Sequence, residues 1–298
     1  MKKYVIITAF ANILFGLIPI YWKFLSNVST SYILAQRILW SLPFTLFIVF
    51  LIKETDQMKA ALRNKKVFLL TSCAGIVITG NWYLYIWAVG HSMVLETSLA
   101  YYMSPLVVFL LSIFVFKETC GKWELIAIAL AAAGILISTL TVGVFPWVSV
   151  ILAITFAVYG ALKKTAGLSP SVSLTLEMLV VLPASLIYLG MTSFGENSQL
   201  IGLPFYQMIL LIGTGFISSF PLWLYSYGVK ELPYSQVAFL QFIWPTTSMF
   251  LSVFGLKETL TIPKLICFLF IWIGLLIFTI SKTALGKYAK SNSVSKKE

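Results

Sequence analysis

Very few residues of this chain could carry out acid–base, metal or covalent chemistry. The sequence contains a single histidine, His91, and a single aspartate, Asp56. One imidazole cannot make a His-x-x-x-His zinc site, and one aspartate cannot make an aspartyl dyad. Gly75 and Gly80 precede Asn81 instead of Lys-Ser/Thr, so these glycines do not form a phosphate-binding loop. The sequence therefore predicts a protein that is not an enzyme and that holds no metal and no cofactor.

The residues that could act on a solute are a few polar side chains within long apolar stretches. Arg37, Glu96, Glu177 and Gln236 lie within the first two turns of predicted membrane-spanning helices, and a charge at the bilayer centre would cost about 2.5–3.5 kcal/mol. We expect Arg37 and Glu96 to form an ion pair at the outer mouth of a central cavity when that mouth is closed. Glu177 and Gln236 are expected to form a weaker hydrogen bond at the other mouth, while Arg37 could instead hold a substrate carboxylate. The alternative is that these side chains cap helix ends or extend to the membrane surface.

Six further residues are candidates for the wall of this cavity. Asn81 and Tyr85 are four residues apart and share a helix face, and an amide that faced lipid would be costly. Gln241 is a second polar candidate. The aromatic candidates could instead belong to the packed core or to an interfacial belt. The six are Asn81, Tyr85, Trp40, Trp82, Tyr101 and Gln241.

The elements that must position these residues are membrane-spanning helices. Of the 298 residues, 59% are apolar and only 10% are charged, against about 25% charged in a soluble domain. A water-soluble globule could not cover its surface with so few charges. The net charge of +11 does not indicate a nucleic-acid partner, because basic residues report orientation in a membrane protein.

Apolar runs of about 20 residues predict ten transmembrane helices. The uncharged run 125–162 is too long for one helix, and the segment 141–146 provides the break. The runs are continuously apolar rather than alternating, which excludes a transmembrane β-barrel. The predicted spans are 4–23, 32–52, 67–88, 95–116, 124–140, 145–162, 171–191, 205–228, 235–256 and 263–281.

Lysine and arginine residues are distributed unequally between alternate loops of this arrangement. On the side of the N-terminus there are 17, and on the other side there are 3, namely Lys23, Lys257 and Lys264. Because basic loops stay in the cytoplasm, both termini are predicted to be cytoplasmic. Residues 283–298 form a basic cytoplasmic tail that we expect to be disordered.

The chain repeats itself with an offset of 140 residues. Lys117-Glu118-Thr119 recurs as Lys257-Glu258-Thr259, and 18 of 74 positions are identical between 67–140 and 207–280. Each copy holds five spans, an odd number, so the second copy is inverted in the membrane. The predicted fold is an all-α membrane protein with ten transmembrane helices arranged as two inverted five-helix repeats, at 1–143 and 144–282.

Six segments carry motifs that together are specific. They are Gly16-x-x-Pro19-x-Tyr21-Trp22-Lys23, Ile33-Leu34-Ala35-Gln36-Arg37-Ile38-Leu39-Trp40-Ser41, Asn81-Trp82-x-x-Tyr85-Ile86-Trp87-Ala88-Val89, Leu95-Glu96-Thr97-Ser98-Leu99, Pro146-Trp147 and Phe239-Leu240-Gln241-Phe242-Ile243-x-Pro245-Thr246. The chain resembles the RarD branch of the EamA family, in the drug/metabolite transporter superfamily. The resemblance covers nearly all of the chain before the tail. It implies a ten-helix, two-repeat permease of a bacterial cytoplasmic (inner) membrane.

The predicted function is a secondary transporter that moves a small neutral, zwitterionic or singly charged metabolite or drug by alternating access. Efflux rather than uptake is implied by the resemblance, and a coupling proton or ion is left open. The charged outer pair predicts a resting state that is closed outside and open to the cytoplasm. The alternative is a membrane scaffold or partner subunit that transports nothing. The expected partners are the small-molecule substrate and the lipid bilayer, with no nucleic acid.

Overall fold

A computed structural model describes residues 2–91, 94–142, 146–193, 199, 201–255 and 262–294. The side chains of 94–98, which include Glu96, and of the tail from 282 onward lie outside the described part. The helices are α1 (Lys2–Lys23), α2 (Thr30–Leu51), α3 (Thr55–Arg63), α4 (Lys65–Gly90), α5 (Val94–Phe114), α6 (Lys122–Val142), α7 (Trp147–Ala166), α8 (Pro170–Thr192), α9 (Phe205–Glu231), α10 (Tyr234–Gln241), α11 (Ile243–Phe250) and α12 (Ile262–Val294). A π-helical turn at Leu251–Gly255 continues α11.

Each predicted span coincides with helical structure in the described part of the chain. Among the residues that the structure describes, six helices are long and apolar enough to cross a membrane, namely α1, α2, α4, α7, α8 and α9. The span 235–256 is divided into α10, α11 and the π-helical turn. Pro245 explains the division, because it lacks an N–H and its ring clashes with the carbonyl group of Gln241, four residues earlier.

Two elements differ from the sequence prediction. The segment between the second and third spans contains the short helix α3, which carries charges on one face. Helix α12 continues beyond its predicted end at 281 to Val294, so the expectation of a disordered tail is wrong up to that residue. Alanine, leucine and lysine in this segment are good helix formers.

Helices α6 and α12 pack as an antiparallel pair through glycines. A Cβ atom added at Gly134 would lie 3.1 Å from the carbonyl oxygen of Cys267, and one added at Gly274 would lie 2.7 Å from that of Ala127. Ala127 of α6 thus lies beside Gly274 of α12, and Gly134 lies beside Cys267, so the two helices run in opposite directions. Glycine at these positions lets the two backbones approach closely.

Helices α2 and α8 form a second antiparallel pair. Val49 shares a buried cluster with Val172, and Tyr32 shares another with Leu189. Helix α9 packs on α2, and α4 packs on α8, so the pair lies inside the bundle. Polar groups deep in α2 and α8 are therefore placed against protein rather than lipid.

Polar contacts close the end of the bundle that carries the α7–α8 connection, called here the α7–α8 end. Glu118 accepts hydrogen bonds from the backbone N–H groups of Tyr234 (2.5 Å) and Ser235 (3.0 Å) at the start of α10. Lys164 donates to the carbonyl oxygens of Val229 (3.2 Å) and Leu232 (2.6 Å). These contacts join the α5–α6 loop and α7 to the α9–α10 connection. The opposite end, which carries the α1–α2 connection, is called the α1–α2 end.

Candidate substrate-binding site

A cavity of about 410 Å³ lies between the helices, in the half of the bundle nearer the α1–α2 end. Its walls come from α1, α2, α4 and α5 of the first half and from α7, α9, α10 and α11 of the second. This volume is in the lower part of the range for small-molecule sites. Six of the ten residues singled out in the sequence line this central cavity: Arg37, Asn81, Trp82, Tyr85, Tyr101 and Gln241.

Arg37 extends from the first half of α2 into the central cavity. Its guanidinium carbon lies 3.5 Å from the centroid of the Trp82 ring. An indole face attracts a cation through its quadrupole, which holds the guanidinium in place. The Arg37 Nε atom is buried and has no hydrogen-bond partner among the described residues. Within the same part of the chain, no carboxylate lies within ion-pair distance of Arg37.

Two amides hold the wall of the cavity together. Asn81 Nδ2 donates to the carbonyl oxygen of Leu152 (2.8 Å) and to Thr155 Oγ1 (2.7 Å), which joins α4 to α7. Gln241 Nε2 donates to the hydroxyl group of Tyr225 (2.6 Å), which joins α10 to α9. The Gln241 Oε1 atom is buried and has no partner among the described residues. This oxygen is therefore an unsatisfied hydrogen-bond acceptor beside the cavity.

Aromatic rings form a continuous surface on the cavity wall. The ring of Tyr101 lies 4.3 Å from that of Trp244 and 5.8 Å from that of Tyr85, centroid to centroid. Trp244 continues the surface to Phe15 at 4.9 Å and to Phe156 at 6.0 Å. Such a surface can hold a flat apolar group without strict directional demands.

An ammonium and a carboxylate are buried together between the cavity and the α7–α8 end. Glu177 Oε1 accepts hydrogen bonds from Lys163 Nζ (2.6 Å) and Ser173 Oγ (2.6 Å), and Oε2 accepts one from the Tyr159 hydroxyl group (2.9 Å). These four residues are called the buried ion-pair cluster. The Tyr159 ring is 6.2 Å from that of Phe156 in the cavity wall. A buried ion pair is tolerated when both partners are hydrogen-bonded in this way.

Three of the sequence candidates, Glu177, Gln236 and Trp40, do not line the described part of the cavity. The predicted hydrogen bond between Glu177 and Gln236 is wrong, because Lys163 and two hydroxyl groups occupy the Glu177 carboxylate. Trp40 donates its indole N–H to Gln36 Oε1 of the same helix, at 3.0 Å. The side chain of Glu96 lies outside the described residues, so its pairing with Arg37 stays a prediction.

The position of the cavity also bears on the expected resting state. The α1–α2 end is the outer end in the orientation predicted from the basic residues. The opposite, α7–α8 end would then face the cytoplasm, and it carries the polar closing contacts. Because the orientation itself is a prediction, the resting state that is closed outside and open to the cytoplasm stays a prediction as well.

Sequence reasoning missed three members of the buried ion-pair cluster and several rings of the cavity wall. Lys163 is one of the 17 basic residues that the sequence prediction places on the side of the N-terminus, because it follows the predicted span 145–162, whereas α7 continues to Ala166. A signal was present, since Tyr159 and Lys163 are four residues apart, as are Ser173 and Glu177. Each pair therefore shares a helix face. The cavity-lining rings of Phe15, Phe156 and Trp244 have no comparable signal.

Apolar helices of this length that enclose a cavity are typical of a multi-pass membrane protein, and the regular structure of the described residues is helical. The sequence model of the EamA-like transporter family matches residues 2–140 and 146–280, which is nearly the whole chain. The chain belongs to the EamA-like transporter family.

Similar proteins carry transporter names. The chain is 38% identical to the uncharacterized transporter YojE of Bacillus subtilis, over 98% of each chain. It is 29% identical to protein RarD of Escherichia coli, over 93% of this chain and 94% of that protein. The resemblance to RarD proteins is thus confirmed, and these relatives are not named as enzymes. A solved crystal structure shares the fold, with a TM-score of 0.72 at 15% identity over 96% of this chain and 99% of that one.

Proposed function

We propose that the chain is a secondary transporter that gives its substrate alternating access to the central cavity. The observation that carries this proposal is the cavity itself, which lies between helices of both halves and is closed towards the α7–α8 end. A cavity shared by two halves can change its accessible side when one half rocks against the other. Its substrate is a small neutral, zwitterionic or singly charged metabolite or drug, because Arg37 is the charged residue among those that line the described wall.

The proposal includes ten transmembrane helices in two inverted repeats. Under the 140-residue offset, Gly134 corresponds to Gly274 and Ala127 to Cys267. The two glycine contacts between α6 and α12 are therefore one contact repeated. Because these helices are antiparallel, the axis that relates them is perpendicular to both and would lie in the membrane plane. Under the same offset, Tyr32 corresponds to Val172 and Val49 to Leu189. The pair Val49–Val172 between α2 and α8 is therefore equivalent to the pair Tyr32–Leu189, which supports the same axis.

The proposed location is the bacterial cytoplasmic membrane, with both termini in the cytoplasm. Single cysteines at Ser26 in the α1–α2 connection and at Asn64 before α4 would test this orientation in a chain whose three native cysteines are replaced by alanine. We expect an impermeant maleimide added to intact cells to label the Ser26→Cys variant. The Asn64→Cys variant should react only after the membrane is permeabilised. The reverse pattern would invert the proposed orientation.

Flux through purified protein in liposomes would test transport and separate it from the scaffold alternative. A panel of amino acids, carboxylic acids and small amphiphiles should include substrates that enter protein-containing liposomes faster than empty ones. Ser104 lines the cavity, so Ser104→Tyr should block this flux, while Thr165→Tyr on the exposed surface of α7 should not. Absence of flux for the whole panel would favour the scaffold.

Export is the proposed direction, following the resemblance to RarD proteins. A relative with 26% identity, from Pseudomonas aeruginosa, is named chloramphenicol-sensitive protein RarD. Everted membrane vesicles test the direction, because an exporter fills them. Dissipating the proton gradient during that assay tests a coupling proton, for which no residue is assigned.

A further inference from the structure

The described wall of the central cavity carries one sign of charge. Arg37 is the charged residue among those that line it, and no aspartate or glutamate contributes to this wall. The Arg37 Nε atom is buried and has no hydrogen-bond partner among the described residues. A buried cation without a hydrogen-bonded anion is costly at membrane depth, and a carboxylate can bind the planar guanidinium through two parallel hydrogen bonds.

The rest of the wall indicates what the part of a ligand away from Arg37 should contain. Tyr101 and Trp244 have ring centroids 4.3 Å apart and present an extended aromatic surface to the cavity. Gln241 Oε1 is a buried acceptor without a partner in the described part of the chain. An acceptor of this kind favours a ligand that brings a neutral hydroxyl or N–H donor, because an unpaired buried oxygen loses its hydration.

The internal repeat provides an independent observation about charge. Lys163 and Glu177 form the ion pair near the closed α7–α8 end. Their counterparts under the 140-residue offset are Lys23 and Arg37, near the α1–α2 end. Two cations cannot reproduce an ion pair, so closure of this end in the same manner brings like charges together. A bound anion between them would remove that repulsion.

We propose that the central cavity binds a small monocarboxylate that has a flat apolar body and one neutral hydrogen-bond donor. The carboxylate pairs with Arg37, the body lies against the aromatic surface, and the donor reaches Gln241 Oε1. This inference rests on the proposed function and narrows its substrate to a monoanion. A cation is repelled by Arg37, and the ammonium group of a zwitterion finds no carboxylate in the described wall.

Four probes with the same phenol body test the charge preference directly. These are 4-hydroxyphenylacetate, its neutral amide, the cation tyramine and the zwitterion tyrosine, each titrated calorimetrically into the full chain in lipid nanodiscs. We expect the carboxylate to bind about tenfold or more tightly than each of the others, as a charge-assisted hydrogen bond allows. Phenylacetate, which lacks the hydroxyl donor, should bind several-fold more weakly than 4-hydroxyphenylacetate.

Variants assign these preferences to residues. Arg37→Gln should abolish the preference for the acid over the amide, and Arg37→Lys should restore part of it. Arg63→Gln, on the exposed surface of α3, is the matched control and should bind like the wild type. Gln241→Leu should remove the difference between the acids with and without a hydroxyl group. If Arg37→Gln does not fold, the probe series on the wild type still decides.

Equal affinity for acid and amide, tighter binding of tyramine or tyrosine, or no binding of any probe would overturn the proposal. Failure of transport itself would look different. Binding of the acid without flux into liposomes would contradict the proposed transporter and leave this binding site standing. Flux of tyramine or the amide without any preference for the acid would support transport and reject the monoanion site.

Discussion

The buried ion-pair cluster predicts a large loss of stability when one partner of its ion pair is removed. Lys163→Met keeps the length of the side chain and removes the ammonium group. The Glu177 carboxylate, which is 0% exposed, would then retain only the hydroxyl groups of Tyr159 and Ser173 as donors. Removing one partner of a buried ion pair costs about 3–5 kcal/mol, so the free energy of unfolding should fall by that amount.

Glu177→Gln should cost a similar amount, because it leaves the Lys163 ammonium group without its anion. The double variant contains no unpaired charge, and methionine and glutamine have nearly the volumes of the residues they replace. Its loss of unfolding free energy should therefore be smaller than the sum of the single losses, with a coupling energy of about 2–3 kcal/mol.

Reversible unfolding by dodecyl sulfate in mixed micelles, followed by tryptophan fluorescence, measures all three changes. Lys59→Met is the matched control, because the ion pair of Lys59 with Asp56 is 3.8 Å long and its side chains are 70% and 97% exposed. It should be nearly as stable as the wild type, since exposed pairs contribute little. Additive losses in the double variant, or a Lys163→Met variant as stable as Lys59→Met, would refute the reasoning.

Two further outcomes follow from backbone contacts. Gly274→Leu should lower the free energy of unfolding by about 1–3 kcal/mol, because the added side chain meets the backbone of α6. Gly190→Leu is the control in the same unfolding assay, and it should not lower this free energy, because no atom lies within 4 Å of a Cβ added at Gly190. Glu118→Gln should raise amide hydrogen exchange at the first turn of α10 about fivefold, since losing the charged acceptor there costs about 1 kcal/mol. Glu231→Gln, an exposed control, should leave that exchange unchanged.

The spans could be predicted from the sequence because they depend on local composition. A run of about 20 apolar residues must be buried in lipid or protein whatever its neighbours are. The division of the ninth span depends on a local feature as well, Pro245, yet α5 continues through its counterpart Pro105. Whether a proline interrupts a helix thus depends on the packing around it, which the sequence alone does not contain.

The candidate site could be predicted at residues whose polar side chains would be costly to expose to lipid. Arg37 and Asn81 were found because a charge or an amide in an apolar helix must have a protein environment. Lys163 was missed because a lysine at a helix end is normally solvated, and only the tertiary position of Glu177 draws it inwards. Aromatic residues are common in the chain, so Trp244 could not be distinguished from packed rings without coordinates.

The asymmetry between the two ends gives the repeat a functional meaning. The closed end has Lys163 with Glu177, whereas the corresponding positions at the cavity end are Lys23 and Arg37. If both ends close by equivalent movements, closure at the cavity end has to overcome repulsion between two cations unless an anion is present. The empty protein would then favour the state in which the cavity end is accessible.

Lys23→Glu tests this argument, because it places a carboxylate opposite Arg37 and reproduces the ion pair of the other end with its signs exchanged. We expect this variant to close the α1–α2 end without any bound anion. A cysteine at Ser26, in a chain without native cysteines, should therefore react with an impermeant maleimide about tenfold more slowly than in the Lys23→Gln control, as about 1.4 kcal/mol of added closure implies. Equal labelling in the two variants would show that the charges of Lys23 and Arg37 do not govern closure, as expected if Glu96 already supplies the partner of Arg37.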